Sequence, residues 1–193
     1  MNYADFYHIS RCPVDTLFNL SEIHLGKNTS YTFSFVDRLT IVAIAVYNSI
    51  VVHSHGKTYT IIPGLAIVIP KSLAVRIENK NEKEYGSFLI FTLDMASRTA
   101  DPYVENLTIN TIRHTLVAFE SLPNVKIASL DARHELIYYN RIFSGRIFVY
   151  NLSGAFEASN CLLGPSDGML LQDFEAVEIE AFEPSSIVLL IEL

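Results

Sequence analysis

The chain has 193 residues, half of them hydrophobic, and a formal charge of −7. An acidic surface repels phosphate backbones and anionic headgroups unless basic side chains cluster, and no Lys/Arg-rich stripe occurs, so direct nucleic-acid binding is not expected. No apolar run approaches the roughly 18 residues of a membrane-spanning helix, and the first residues, MNYADFYHIS, lack the charged start and apolar run of an export signal. The expected location is therefore cytoplasmic, with no membrane partner.

Strands are predicted over residues 39–47, 50–55, 58–62, 65–69, 73–78 and 87–93. Each is a short run of Val, Ile, Leu, Phe and Tyr bounded by Gly, Pro, Asn or Asp. Gly56-Lys57 falls between two of them, where a hairpin needs positive φ, and Pro63-Gly64 is turn chemistry. The segment 101–122 has poor periodicity and is read as irregular, with at most a turn of helix. Strands resume at 135–139, 146–151, 169–172, 176–182 and 187–193. In 73–78 the odd positions are apolar and the even positions are Ala74, Arg76 and Glu78. One face is therefore packed and the other polar, toward solvent or toward a barrel interior.

The two halves repeat. Pro63 aligns with Pro165 and, at the same offset, Ala74, Val75, Ile77 and Glu78 align with Ala176, Val177, Ile179 and Glu180. A repeat of half the chain means two copies of one module. The expected architecture is all-β, two tandem β-barrels: an N-terminal barrel over 1–95 (core 20–95), a linker over 96–129 and a C-terminal barrel over 130–193.

The order of hairpin glycine, strand, Pro-Gly, strand and alternating strand resembles a cupin module, and two in tandem resemble a bicupin. More narrowly, the chain is similar to the pirin-related proteins, in particular the short bacterial quercetinase-like members. The resemblance runs from Tyr31 to Leu193. It is carried by Thr32-Phe-Ser-Phe-Val-Asp-Arg38, the run from Gly56 to Leu93, Asp101-Pro102-Tyr103, Leu116-Val-Ala-Phe-Glu-Ser121, Leu130-Asp-Ala132 and the closing strand. The family's iron site uses an H-x-H pair and an H-x-E pair. The resemblance places these on Phe33 and Phe35 and on Arg76 and Glu78, of which only Glu78 has a ligating atom. It thus implies a scaffold that binds a small molecule or a protein without a metal or other cofactor, and an enzyme is not favoured.

Arg76 and Glu78, two apart on one strand face, are ligand-binding candidates together with Tyr47, the Arg offering a two-pronged donor to a carboxylate. The alternative is a metal-dependent cupin enzyme, a dioxygenase or isomerase acting on a small aromatic or carbonyl compound. Its one divalent transition metal (Fe, Ni, Zn or Mn) would sit on a rearranged set of His53, His55 and Glu78. His53-Ser-His55 is the one H-x-H in the sequence, and on a strand both rings would face the same way.

His8, His24, His114 and His134 are isolated in sequence and read as surface or capping residues. Glu178 and Glu180 read as exposed. Cys12 and Cys161 lack metal-site or C-x-x-C spacing and read as reduced thiols. No catalytic residue is assigned: no G-x-S-x-G, G-x-G-x-x-G or phosphate-binding loop occurs. The high apolar content points to a buried self-interface and hence a homodimer.

Overall fold

The computed structural model describes residues 6–7, 18–34, 39–70, 74–94, 97–107, 109, 111–139, 145–172 and 174–193. The chain divides into two compact units, Met1–Asn106 and Leu107–Leu193. The first carries β1 (Phe6–Tyr7), β2 (Phe18–Leu25), β3 (Thr29–Ser34), β4 (Thr40–Tyr47), β5 (Ile50–Ser54), β6 (Lys57–Ile61), β7 (Leu65–Ile69), β8 (Ala74–Asn79), β9 (Gly86–Leu93) and β10 (Tyr103–Asn106). The second carries β11 (Val117–Ala118), β12 (Val125–Leu130), β13 (Glu135–Tyr139), β14 (Arg146–Ser153), β15 (Phe156–Ala158), β16 (Cys161–Leu163), β17 (Gly168–Gln172), β18 (Ala176–Ala181) and β19 (Ser186–Glu192). No helix occurs among the described residues, and so none is long and apolar enough to cross a membrane.

Within each unit the strands form two antiparallel sheets with a hydrophobic cluster between them. In the first unit the orders are β1-β2-β9-β4-β7-β10 and β3-β8-β5-β6; in the second they are β11-β12-β19-β14-β17 and β13-β18-β15-β16. The second pair of sheets repeats the first strand for strand: β12, β19, β14 and β17 stand as β2, β9, β4 and β7 do, and β13, β18, β15 and β16 as β3, β8, β5 and β6 do. Even the irregularity is shared. β4 shifts register between Ala45 and Tyr47 on β9, and β14 shifts between Asn151 and Ser153 on β19.

Strands β10, β11 and most of β12 fall within the expected linker 96–129. Tyr103–Asn106 pairs with β7 and belongs to the first unit. Val125–Leu130 pairs with β19 along six residues and belongs to the second. Leu122, Val125 and Ile127 are buried, so the apolar surface of this segment serves the second unit well before residue 130.

Alternation decides which side chains enter the core. Val75 and Ile77 of β8 are fully buried and join Ile41, Ala43, Val52, Ile67 and Phe88 in the first cluster. Ala74 and Arg76 point the other way and are exposed, with Glu78 part-exposed. The polar face of this strand therefore looks outward, away from the space between the sheets. A stability contrast tests the assignment: in urea denaturation Ile77→Ala is expected to cost about 2–5 kcal/mol, whereas Arg76→Ala is expected to stay within about 0.5 kcal/mol of the parent. Similar costs for the two would refute the face assignment.

Candidate functional site

The outer face of the β3-β8-β5-β6 sheet carries one row of polar side chains in register. Thr32 on β3 pairs with Arg76 on β8, Arg76 pairs with His53 on β5, and His53 pairs with Thr58 on β6. Residues directly opposite on neighbouring strands lie about 4.5–5.5 Å apart at Cβ and share a face, so four side chains from four strands form a continuous line. In the next row toward β3's start lie Ser30 and Glu78. Glu78 reaches diagonally to the imidazole: His53 Nε2 and Glu78 Oε2 are 3.1 Å apart, and His53 Nδ1 is 3.1 Å from Thr58 Oγ1. A carboxylate only accepts, so this geometry suits the tautomer in which His53 Nε2–H donates to Glu78 and Nδ1 accepts from the Thr58 hydroxyl.

The β5–β6 hairpin overhangs this row. Its turn is His55-Gly56, with φ of 52° and 71°. Two consecutive positive φ values match the twist of a tight hairpin, and histidine tolerates the left-handed region better than most residues. An open groove of about 380 Å³ lies beside the overhang. It is lined by Thr32, Ala74 and Arg76 from one side and by His53, Ser54, His55, Gly56, Lys57 and Thr58 from the other. The equivalent hairpin of the second unit is shorter relative to its partner strand. Val52 and Ala158 stand opposite the equivalent residues Ile77 and Ile179, but β15 ends at Ala158 and turns at once through Ser159-Asn160. The overhang that makes the groove is thus an extension particular to the first unit.

The alternative metal set does not assemble as its spacing suggests. β5 ends at Ser54, and His55 enters the turn, where its Nδ1 lies 2.8 Å from Ser54 Oγ. The same-face rule for H-x-H holds only while both residues stay on a strand, so the turn separates the two imidazoles and leaves His53 with Glu78. Among the described residues no group of three or more His, Cys, Asp or Glu side chains is placed to hold a metal ion. Of the positions implied by the family resemblance, Phe33 packs against the buried cluster with its ring 6.1 Å from Phe88. Phe35 lies outside the described residues. Arg76 and Glu78 face away from the core, so neither points into the space where Phe33 lies.

Tyr47 stands apart from Arg76 and Glu78. It lies on the other sheet of the first unit, half-exposed, with its ring 5.1 Å from Tyr85. Glu178 and Glu180 occupy the places of Arg76 and Glu78 in the second unit. Glu178 is exposed opposite Ile137, and Glu180 is flanked across strands by Glu135 and Glu157. The corresponding face is therefore acidic in one unit and carries a cation in the other.

Two further clusters were not legible from spacing. His114 and His134, isolated in sequence, have ring centroids 3.7 Å apart with the planes tilted by 32°, and His114 Nε2 lies 3.2 Å from Asp131, which also pairs with Arg113. Lys126 and the Tyr138 hydroxyl both donate to Glu192, with the ammonium 5.5 Å from the Tyr138 ring centroid. Cys161 is exposed in the β15–β16 hairpin, whereas Cys12 and His8 lie outside the described residues. The signal that could have found Thr32 and Thr58 is register: once β3, β8, β5 and β6 are neighbours, each falls on the Arg76 row.

No protein-family model and no curated protein matches the chain. Solved structures do. The bacterial pirin YhhW from Escherichia coli in complex with nickel(II) superposes with a TM-score of 0.74 at 10% identity, covering 97% of this chain and 90% of that one. YhaK from Escherichia coli gives 0.73 at 15% identity over 98% and 93%. A cupin 2 conserved barrel domain protein from Leptotrichia buccalis gives 0.61 at 16% identity over 98% and 88%. At these identities the likeness is one of fold: the chain is all-β and cupin-like.

Proposed function

We propose that the chain is a pirin-like bicupin that binds a small molecule without a metal, through the outer groove of the first unit. The observation that supports this most is a division of chemistry between two faces of one strand. Val75 and Ile77 fill the space between the sheets with hydrocarbon, as does Phe33 on β3, while Arg76 and Glu78 stand outside beside His53. A transition metal needs imidazole, thiolate or carboxylate donors converging on one point, and these inward side chains have none. A groove of about 380 Å³ is at the small end of the range for small-molecule sites, roughly 300–1,000 Å³.

Imidazole NMR tests the reading. Small molecules that bind are expected to shift the ring signals of His53 and His55. Binders that instead shift the methyls of Val75, Ile77 and Ile90 would place the site between the sheets and overturn it.

The second reading, a metal-dependent enzyme, draws on the nickel(II) in the YhhW complex and on the contact between His53 and Glu78. It requires His55 or another donor to swing onto that pair. The proposed protein is cytoplasmic and a homodimer; a monomeric mass in light scattering at micromolar concentration would count against the dimer.

A further inference from the structure

We infer that the groove takes small organic acids through a carboxylate; this rests on the outer-groove reading above and names its ligand class. The groove holds Arg76 and Lys57, and no Asp or Glu among the described residues lines it. That is the reverse of the chain as a whole, in which 21 acidic residues outnumber 14 basic ones. Neither cation is in an ion pair with a described carboxylate, and the nearest acid on that face, Glu78, is bonded to His53. Arg76 is exposed on that face without an ion-pair partner among the described residues, and a bound carboxylate supplies one.

The shape of the donors narrows the class. Arg76 presents a planar fork that matches the two oxygens of a carboxylate. The Thr32 and Thr58 hydroxyls flank it in the same row, and Lys57 stands at the hairpin mouth. His55 also lines the groove, with its Nδ1 2.8 Å from Ser54 Oγ. The groove is floored by strands and edged by the hairpin turn, and among the described residues no helix N-terminus of the kind that cradles phosphate lines it. Ala74 and the threonine methyls offer a short apolar stretch for the carbon skeleton of the acid. His53, fixed on both nitrogens, acts as a spacer that keeps Glu78 from closing on Arg76.

Calorimetric titration of the full chain at low salt tests this with four probes: succinate, benzoate, inorganic phosphate and the uncharged succinamide. Saturable binding of at least one carboxylate is expected, with weakening as salt screens the cations. Arg76→Ala is expected to weaken it roughly tenfold or more. Arg76→Lys is expected to restore only part, since the charge returns without the fork. Arg76 is exposed, so both variants are expected to keep the fold, which circular dichroism checks. Phosphate binding as tightly as either acid, with Arg76→Lys equal to the parent, would overturn the carboxylate assignment. Succinamide binding as well as succinate, with His53 and His55 signals shifting, would overturn it while leaving the outer-groove reading in place. Failure of every probe would overturn it outright, and binding that shifts only the methyls between the sheets would overturn both readings.

Discussion

Replacing Gly154 by alanine is expected to destabilise the second unit by about 3 kcal/mol or more. Gly154 follows the register shift of β14 with φ of +80°, in the region where a Cβ crowds the following carbonyl. A Cβ there would also fall 2.9 Å from Ser186 Cα, which is backbone at the start of β19 and cannot swing aside. The first unit solves the same corner the other way round. Asn48, φ 59°, takes the left-handed position, and the residue opposite it, one step beyond the Tyr47–Ser87 pair, is Gly86. Asparagine opposite glycine in one unit becomes glycine opposite serine in the other. Ser186→Gly added to Gly154→Ala should therefore recover part of the loss, although it deletes the hydroxyl that donates to Glu183 O at 2.9 Å. Urea denaturation of the single and double variants reads both effects. A Gly154→Ala protein as stable as the parent would show that this corner is not close-packed.

Asn79→Ala is expected to cost the first unit about 2–4 kcal/mol, through lost hydrogen bonds and unpaired groups left behind. Asn79 is fully buried at the end of β8. Its Nδ2 donates to the carbonyls of Leu25, Gly26 and Glu84 at 3.2, 3.1 and 3.0 Å, and its Oδ1 accepts from the Asn81 N–H at 3.0 Å. One side chain thus ties the β2–β3 turn to the β8–β9 loop. Asp at this position would keep the acceptor and lose the donors, so Asn79→Asp is expected to be no better than Asn79→Ala. Amide exchange should rise first at Leu25–Thr29 and residues 80–85. A variant with unchanged denaturation midpoint would contradict this account of the corner.

The sequence carried the alternation of β8 clearly, and the structure follows it residue by residue, with the polar face resolved as the outward one. It also carried the duplication, because Ala-Val-x-Ile-Glu recurs where one face must be apolar in both copies. What it did not carry follows from local physics. β2 went unseen because its buried residues change phase between Leu20 and Ile23, which breaks the period of two. β12 went unseen because it is buried along most of its length and so does not alternate. In the sequence His55 reads as strand because it follows an apolar run. The turn claimed it because the His-Gly dipeptide can supply two positive φ values, and with that turn the expected H-x-H pair came apart. Tyr47 lies on a different sheet from Arg76 and Glu78, a distinction set by strand order rather than by any local pattern. The cluster of His114, His134 and Asp131 joins a loop to a turn, so no spacing within one element marks it.

The central claim is that ligand chemistry has moved from the space between the sheets to the outer face of β8. Plasma mass spectrometry of freshly purified, untagged protein tests it most directly. The account predicts no stoichiometric transition metal and none retained after incubation with iron, nickel, zinc or manganese followed by desalting. Near one equivalent of metal, lost together in His53→Ala and Glu78→Gln, would contradict it and favour the enzyme reading.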